Sequence, residues 1–184
     1  MDDFERKIIP EIDPALEFRS SFRGTTSVYE VRKDDSVYVL KMADLLYNNG
    51  SQQIQTERRA LSIAKDFEGI THLVHDYGDV GQFTAILKEY EEGEDLRTLS
   101  LLENIIPKDA VEGLKKQVEE IVRNFHQSGV AILDLGEYNF VVSPDFRKIT
   151  LVDLGACRFA DTLPLQEFER LKSLDISDIS SMIY

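Results

Sequence analysis

In the first half of the chain apolar residues alternate with polar ones in short runs, and in much of the second half they recur every three or four positions. The alternation predicts three strands between residues 16 and 43. The first runs into the small-residue turn Ser20-Ser21-Phe22-Arg23-Gly24-Thr25-Thr26-Ser27, the second covers 28–31, and the third covers 37–42 after the turn Lys33-Asp34-Asp35. Residues 1–15, where Pro10 and Pro14 flank an acidic segment, read as a lead-in rather than a domain. Residues 47–51 break the pattern. A helix is predicted over 52–66, then strands at 73–77 and 83–90 joined by Gly78-Asp79-Val80-Gly81. In the acidic connector Glu91-Glu92-Gly93-Glu94-Asp95 the period changes from two to helical, which divides the chain into residues 1–90 and 91–184. A short helix is predicted near 96–103. A long amphipathic helix follows from an Asp109 N-cap through Val111, Leu114, Val118, Ile121 and Phe125 to Gly129. Near the end, Leu165, Phe168 and Leu171 start one apolar stripe and Ile176, Ile179 and Ile183 a second; the slip at Leu174-Asp175 predicts two short helices.

Two charges sit where this pattern asks for apolar residues. The period of two places Lys41 on the same strand face as Val37 and Val39. In the following helix Glu57 completes the stripe of Ile54, Leu61 and Ala64. An unpaired buried carboxylate costs several kcal/mol, so either the helix turns Glu57 to solvent or a cation meets it, and Lys41 is the cation with the complementary anomaly.

The long helix delivers the chain into 132–155, which reads I-L-D-L-G-E-Y-N-F-V-V-S-P-D-F-R-K-I-T-L-V-D-L-G. Asp134 and Asp153 bracket a short apolar hairpin that turns over at Ser143-Pro144-Asp145, with Asn139 just ahead of it. Taken alone, this reads first as a surface hairpin with solvated acidic ends. Oxygens so placed can also hold Mg²⁺, which favours a few carboxylate or amide oxygens together with substrate phosphates.

Composition narrows the function classes. With 34 acidic against 21 basic residues the chain carries a formal charge of −13, which opposes binding to phosphate backbones or anionic membranes. No run approaches the roughly 18 apolar residues of a membrane span, and the first residues lack the apolar core of a signal peptide. A cytoplasmic location is expected, that of an effector acting inside a host cell included. Cys157 is the single cysteine, so no internal disulfide forms, and the scattered His72, His75 and His126 offer no zinc spacing. Cys157 reads as a small packed thiol.

From about residue 18 to 155 the ordered features resemble the protein kinase superfamily: a Gly-containing turn, a strand lysine, a helix glutamate, an acidic hinge, a long helix, a loop Asp with Asn, a hairpin and Asp-x-Gly. Asp134-Leu135-Gly136-Glu137-Tyr138-Asn139 is similar to the D-L-S-E-Y-N segment of the Rio group, which also lacks a lysine two places after its catalytic Asp. Compact bacterial lipopolysaccharide-kinase-like and effector kinases are further relatives, and Asp153-Leu154-Gly155 is closer to ordinary kinases than to Rio. The resemblance implies an α+β, two-lobed kinase-like fold with an N-lobe of sheet and one helix over 1–90 and a minimal helical C-lobe over 91–184.

The resemblance also implies ATP and Mg²⁺. Lys41 would grip the α- and β-phosphates, oriented by Glu57; Asp153 and Asn139 would hold metal, and Asp134 would align the attacking hydroxyl and take its proton. Gly24, Thr25 and Thr26 would cover the phosphates. Val28, Val39 and Val141 would sandwich the adenine, the backbone of Glu89 and Glu91 would meet its polar edge, and Asp95 would reach the ribose. For Val28, Val39, Val141 and Asp95, plain packing or solvation is an equal reading.

Several positions depart from the family. The turn has one glycine where G-x-G-x-x-G has three, and Ile132 and Leu133 replace the His and Arg ahead of the catalytic Asp, which removes the usual anchor of a phosphorylated activation loop. Lys88 stands where the family limits the back of the adenine pocket; a cation is unusual there, and its candidate contact is Glu89 or another nearby carboxylate. After Gly155 only 29 residues remain, too few for the usual peptide-binding helices, and Asp175 or Asp178 is the candidate to brace the catalytic loop. The first expectation is a kinase acting on a hydroxyl, foremost Ser or Thr of a protein, with a small-molecule (sugar) acceptor as a variant. The alternative is a nucleotide-binding pseudokinase or scaffold. A Rio-like ATPase of ribosome maturation, like nucleic acid as a partner, is disfavoured by the acidic charge.

Overall fold

Ile8, Ile9 and Ile12 are buried together on one face of a helix, α1 (Asp2–Ile12), where the sequence suggested a loose lead-in. Pro10 forgoes one hydrogen bond of that helix. Burial of the three isoleucines, about 1.5–3 kcal/mol each, offsets the loss. The computed structural model describes residues 2–22, 27–46, 48–102 and 105–181.

The chain is a mixed α+β protein divided into two compact units, residues 1–58 with 72–90, and residues 59–71 with 91–184. The first holds α1, the strands β1 (Glu17–Phe22), β2 (Ser27–Lys33) and β3 (Ser36–Asp44), most of helix α2 (Asn48–Ile63), and strands β4 (Leu73–Val80) and β5 (Phe83–Glu89). The strands form one antiparallel sheet in the order β1-β2-β3-β5-β4. Alternation sorts their side chains into two layers. Tyr29, Val31, Leu40, Met42, Phe83, Ala85 and Leu87 pack with the isoleucines of α1. The other face carries Val28, Val39, Lys41, Ile86 and Lys88, with Lys41 opposite Val28 and Ile86, and Val39 opposite Lys88. Asp13, just past α1, accepts from Ala15 N at 2.9 Å, Lys33 Nζ at 2.9 Å and Tyr77 Oη at 2.8 Å. Burial works against its ionisation, but these three donors prevail and lower its pKa to about 2.

The second unit contains β6 (Glu94–Asp95), α3 (Leu96–Leu101), α4 (Lys108–Gln127), β7 (Val130–Ala131), β8 (Phe140–Val142), β9 (Ile149–Leu151), β10 (Arg158–Phe159) and α5 (Leu165–Ser181). β8 pairs with both β6 and β9, and β10 pairs with β7, all antiparallel. Leu114, Val118, Ile121, Val122 and Phe125 give α4 its buried face. Gln117 ties that helix to the hairpin by donating to Arg147 O at 2.9 Å and accepting from Ile149 N at 3.2 Å. Gly93 has φ of 152°, and a Cβ there would stand 2.1 Å from Val142 O, so only glycine fits beside β8.

Several boundaries differ from the sequence reading: β4 continues through Gly78 and Asp79 to Val80, residues read as its connection to β5, and α2 ends at Ile63. α2 begins at Asn48, so residues 48–51 form its first turn instead of a break. α4 begins one residue before Asp109, with Pro107 as its N-cap; Asp109 lies in the first turn, where its charge still complements the helix dipole, and no side chain caps the helix. α5 is one helix, not two: Phe168, Leu171 and Asp175 are all buried, so the apparent slip is a carboxylate on the inward face. Among the described residues no helix is long and apolar enough to cross a membrane.

Candidate active-site residues

In the first unit the two anomalous charges meet. Glu57 is fully buried on α2, and its Oε2 faces Lys41 Nζ of β3 at 2.6 Å, with Lys41 only 2% exposed. Its Oε1 accepts from Lys88 Nζ of β5 at 2.5 Å. Neighbouring antiparallel strands bring Lys41 and Lys88 to one face, and the helical spacing from Ile54 turns Glu57 toward them. One carboxylate thus serves two buried ammonium groups, which accounts for Lys88. Oε2 meets Lys41 as a charge contact and lacks an aligned hydrogen-bond donor. Val28 and Val39 are half-buried on this face, while Gly24, Thr25 and Thr26 lie outside the described residues.

In the second unit the loop after β7 carries Asp134 and Asn139. Leu133 has φ of 66°, a conformation that costs a branched side chain about 1–2 kcal/mol. It is held there from α5: Asp175 Oδ1 accepts from Leu133 N at 2.9 Å, and Oδ2 accepts from Ile132 N at 2.9 Å. His126 Nε2 of α4 lies 2.8 Å from the same Oδ2. Asp175, rather than Asp178, is therefore the brace. One turn further along α5, burial first and then the charges of Asp175 and Asp134 push the Asp178 carboxyl up. A turn of 3₁₀ helix (Glu137–Asn139) follows Asp134. Buried Asn139 donates from Nδ2 to Asp134 O at 2.9 Å, and its carbonyl accepts from Val152 N at 2.8 Å, which ties the loop to the strand leading into Asp153. Asp153 Oδ1 accepts from Gly155 N at 2.8 Å, so Gly155 fixes the direction of that carboxylate.

The remaining candidates have local duties. Asp95 caps α3, with Oδ1 accepting from Thr98 N at 2.8 Å and Oδ2 from Thr98 Oγ1 at 2.7 Å. Glu91 Oε2 meets Lys148 Nζ at 3.1 Å and Thr150 Oγ1 at 3.4 Å. Glu89 N donates to His72 O at 3.0 Å, and Val141 is half-buried in β8. Cys157 is buried and forms no disulfide. The residue that sequence reasoning passed over is Tyr138, whose hydroxyl donates to Asp134 Oδ1 at 2.5 Å. Its signal was the glycine two places earlier, which leaves room for the ring.

Among the described residues no three His, Cys, Asp or Glu side chains gather to hold a metal by themselves. Asp153 and Asn139 are a sparse set of hard oxygens. Such a set fits Mg²⁺, which keeps waters and takes its other ligands from phosphates.

No family model matches the chain. It is similar to a probable serine/threonine-protein kinase of Dictyostelium discoideum, with 29% identity over 137 residues, or 72% of this chain and 10% of that protein. The relationship is kinase-like. The chain matches about a tenth of that relative's length.

Proposed function

We propose that the chain has a two-lobed, protein kinase-like fold and is an ATP- and Mg²⁺-dependent phosphotransferase acting on a hydroxyl, foremost Ser or Thr of a protein. The observation that carries this reading is the Lys41–Glu57 pair. A buried ion pair is an expensive way to stabilise a sheet, since apolar residues of similar volume often serve as well or better. Its retention is explained if Lys41 must be charged and held in place to meet phosphate oxygens. In the same reading Glu57 orients Lys41, and Asp153 and Asn139 hold the metal. Bound Mg²⁺ supplies neutralisation of charge on the phosphate oxygens. Asp134 aligns the acceptor hydroxyl and takes its proton, from a backbone position fixed by Asp175. The kinase-like similarity supports the reaction class.

Incubation with γ-labelled ATP and Mg²⁺ tests this. Label on an acceptor, on the chain itself or released as phosphate is expected. ATP bound with no transfer of any kind points instead to a nucleotide-binding scaffold, and no Mg²⁺-dependent binding removes both readings.

A further inference from the structure

Asp134 already has a hydroxyl on it. Tyr138 Oη lies 2.5 Å from Asp134 Oδ1 and donates its proton there, although the tyrosine is half exposed. The ring has a shaped seat. A Cβ on Gly136 would stand 2.4 Å from Tyr138 Cε1 and 2.6 Å from its Cζ, so only glycine at 136 lets the ring fold back over the loop. The backbone itself does not require glycine, since Gly136 has φ of −73° and ψ of 146°, which any residue adopts. The glycine is thus explained by the ring. The contact also marks the tyrosine: the hydrogen bond to Asp134 first, then burial, then the charges of Asp134 and Asp153 raise its pKa to about 12. At neutral pH the phenol keeps its proton and donates it in the hydrogen bond to Asp134.

We infer that Tyr138 is an internal occupant of the acceptor position, its hydroxyl covering Asp134 Oδ1 until an acceptor hydroxyl displaces it. This rests on the phosphotransferase reading, in which Asp134 receives the acceptor's proton. While the phenol is in place, water must share that oxygen with a bonded donor and is less readily aligned on it, so the occupant restrains wasteful hydrolysis. In that hydrolysis the water oxygen bonds to the γ-phosphorus, the bond to the bridging oxygen of ADP breaks, and Asp134 takes the water's proton. A partly exposed tyrosine can swing away, and an acceptor held by its own contacts on the protein gains what water lacks.

The probe is Mg·ATP with no added acceptor. Tyr138→Phe keeps the ring on Gly136 and removes the donor; it should raise the turnover number for ATP hydrolysis about three- to tenfold with KM for ATP unchanged, the scale of one ordinary hydrogen bond at a half-exposed site. Gly136→Ala, which the backbone tolerates but the ring does not, should raise turnover similarly, and the double variant should gain no more than either alone. Binding of Mg·ATP is measured in parallel. If Mg·ATP binds and Tyr138→Phe hydrolyses at or below the parent rate, or if the two gains multiply, the occupant role is wrong while the phosphotransferase reading stands. If the parent shows no Mg²⁺-dependent binding at all, the reading and the inference fall together.

Discussion

Lys88 Nζ lies 2.5 Å from Glu57 Oε1, on the opposite side of the carboxylate from Lys41. The two lysines reach the glutamate from adjacent strands, so Glu57 is held from both sides and Lys41 is held by a group that is itself fixed. Glu57→Gln leaves two ammonium groups buried against a neutral amide. It should lower the unfolding free energy by about 3–5 kcal/mol, whereas Lys88→Met should cost less because Lys41 still faces the carboxylate. Urea denaturation of the two single variants and the double variant checks this. Additive losses would mean that the three groups do not act as a unit.

The backbone around Asp134 depends on a residue 41 positions later in the chain. Asp175→Ala removes the acceptor of both Ile132 N and Leu133 N and of His126, all buried or nearly so. Each lost hydrogen bond to a charged group is worth about 1.5–3 kcal/mol, so a loss of at least 3 kcal/mol is expected. Amide exchange at Ile132 and Leu133 should accelerate more than in β9. Unchanged protection at those two amides would show that the brace is dispensable.

Legibility followed burial chemistry. The sheet, the long helix and the Lys41–Glu57 meeting were readable because each left a periodic pattern or broke one. Asp175 looked like a slip between two helices, since a single sequence does not show that a carboxylate can lie on an inward face when backbone amides wait there. Residues 1–15 looked like a lead-in because Pro10 and Pro14 weigh against a helix, while the burial of Ile8, Ile9 and Ile12 comes from the sheet. Lys88 and Tyr138 were obscure for one reason. Their partners, Glu57 and Asp134, are set by how strands and loop fold, and the sequence around Lys88 offers its neighbour Glu89 by name but not the distant Glu57.

The ties of Asp13 predict a pH dependence. Its pKa falls from the model-peptide 3.8 to about 2 in the folded chain, where Ala15 N, Lys33 and Tyr77 outweigh the effect of burial. The folded state therefore holds the carboxylate more strongly than the unfolded state does. The resulting stability is complete above about pH 4 and is lost as pH falls through about 2. Asp13→Asn should remove about 1–2 kcal/mol at pH 7, a figure reduced for solvent screening, and flatten the stability profile between pH 4 and 2. A variant as acid-sensitive as the parent in that window would contradict the assignment.

Asp134 and Asp153 divide the labour on this account, one handling the acceptor proton and the other the metal. The most direct test measures Mg²⁺-dependent ATP binding and phosphoryl transfer side by side in Asp134→Ala and Asp153→Ala. Asp153→Ala should lose at least about tenfold in Mg²⁺-dependent affinity, a change of about 1.4 kcal/mol or more. Asp134→Ala should bind within about threefold of the parent yet transfer about 10²–10⁴ times more slowly. Parent-like transfer by Asp134→Ala, or parent-like Mg·ATP binding by Asp153→Ala, would contradict the account.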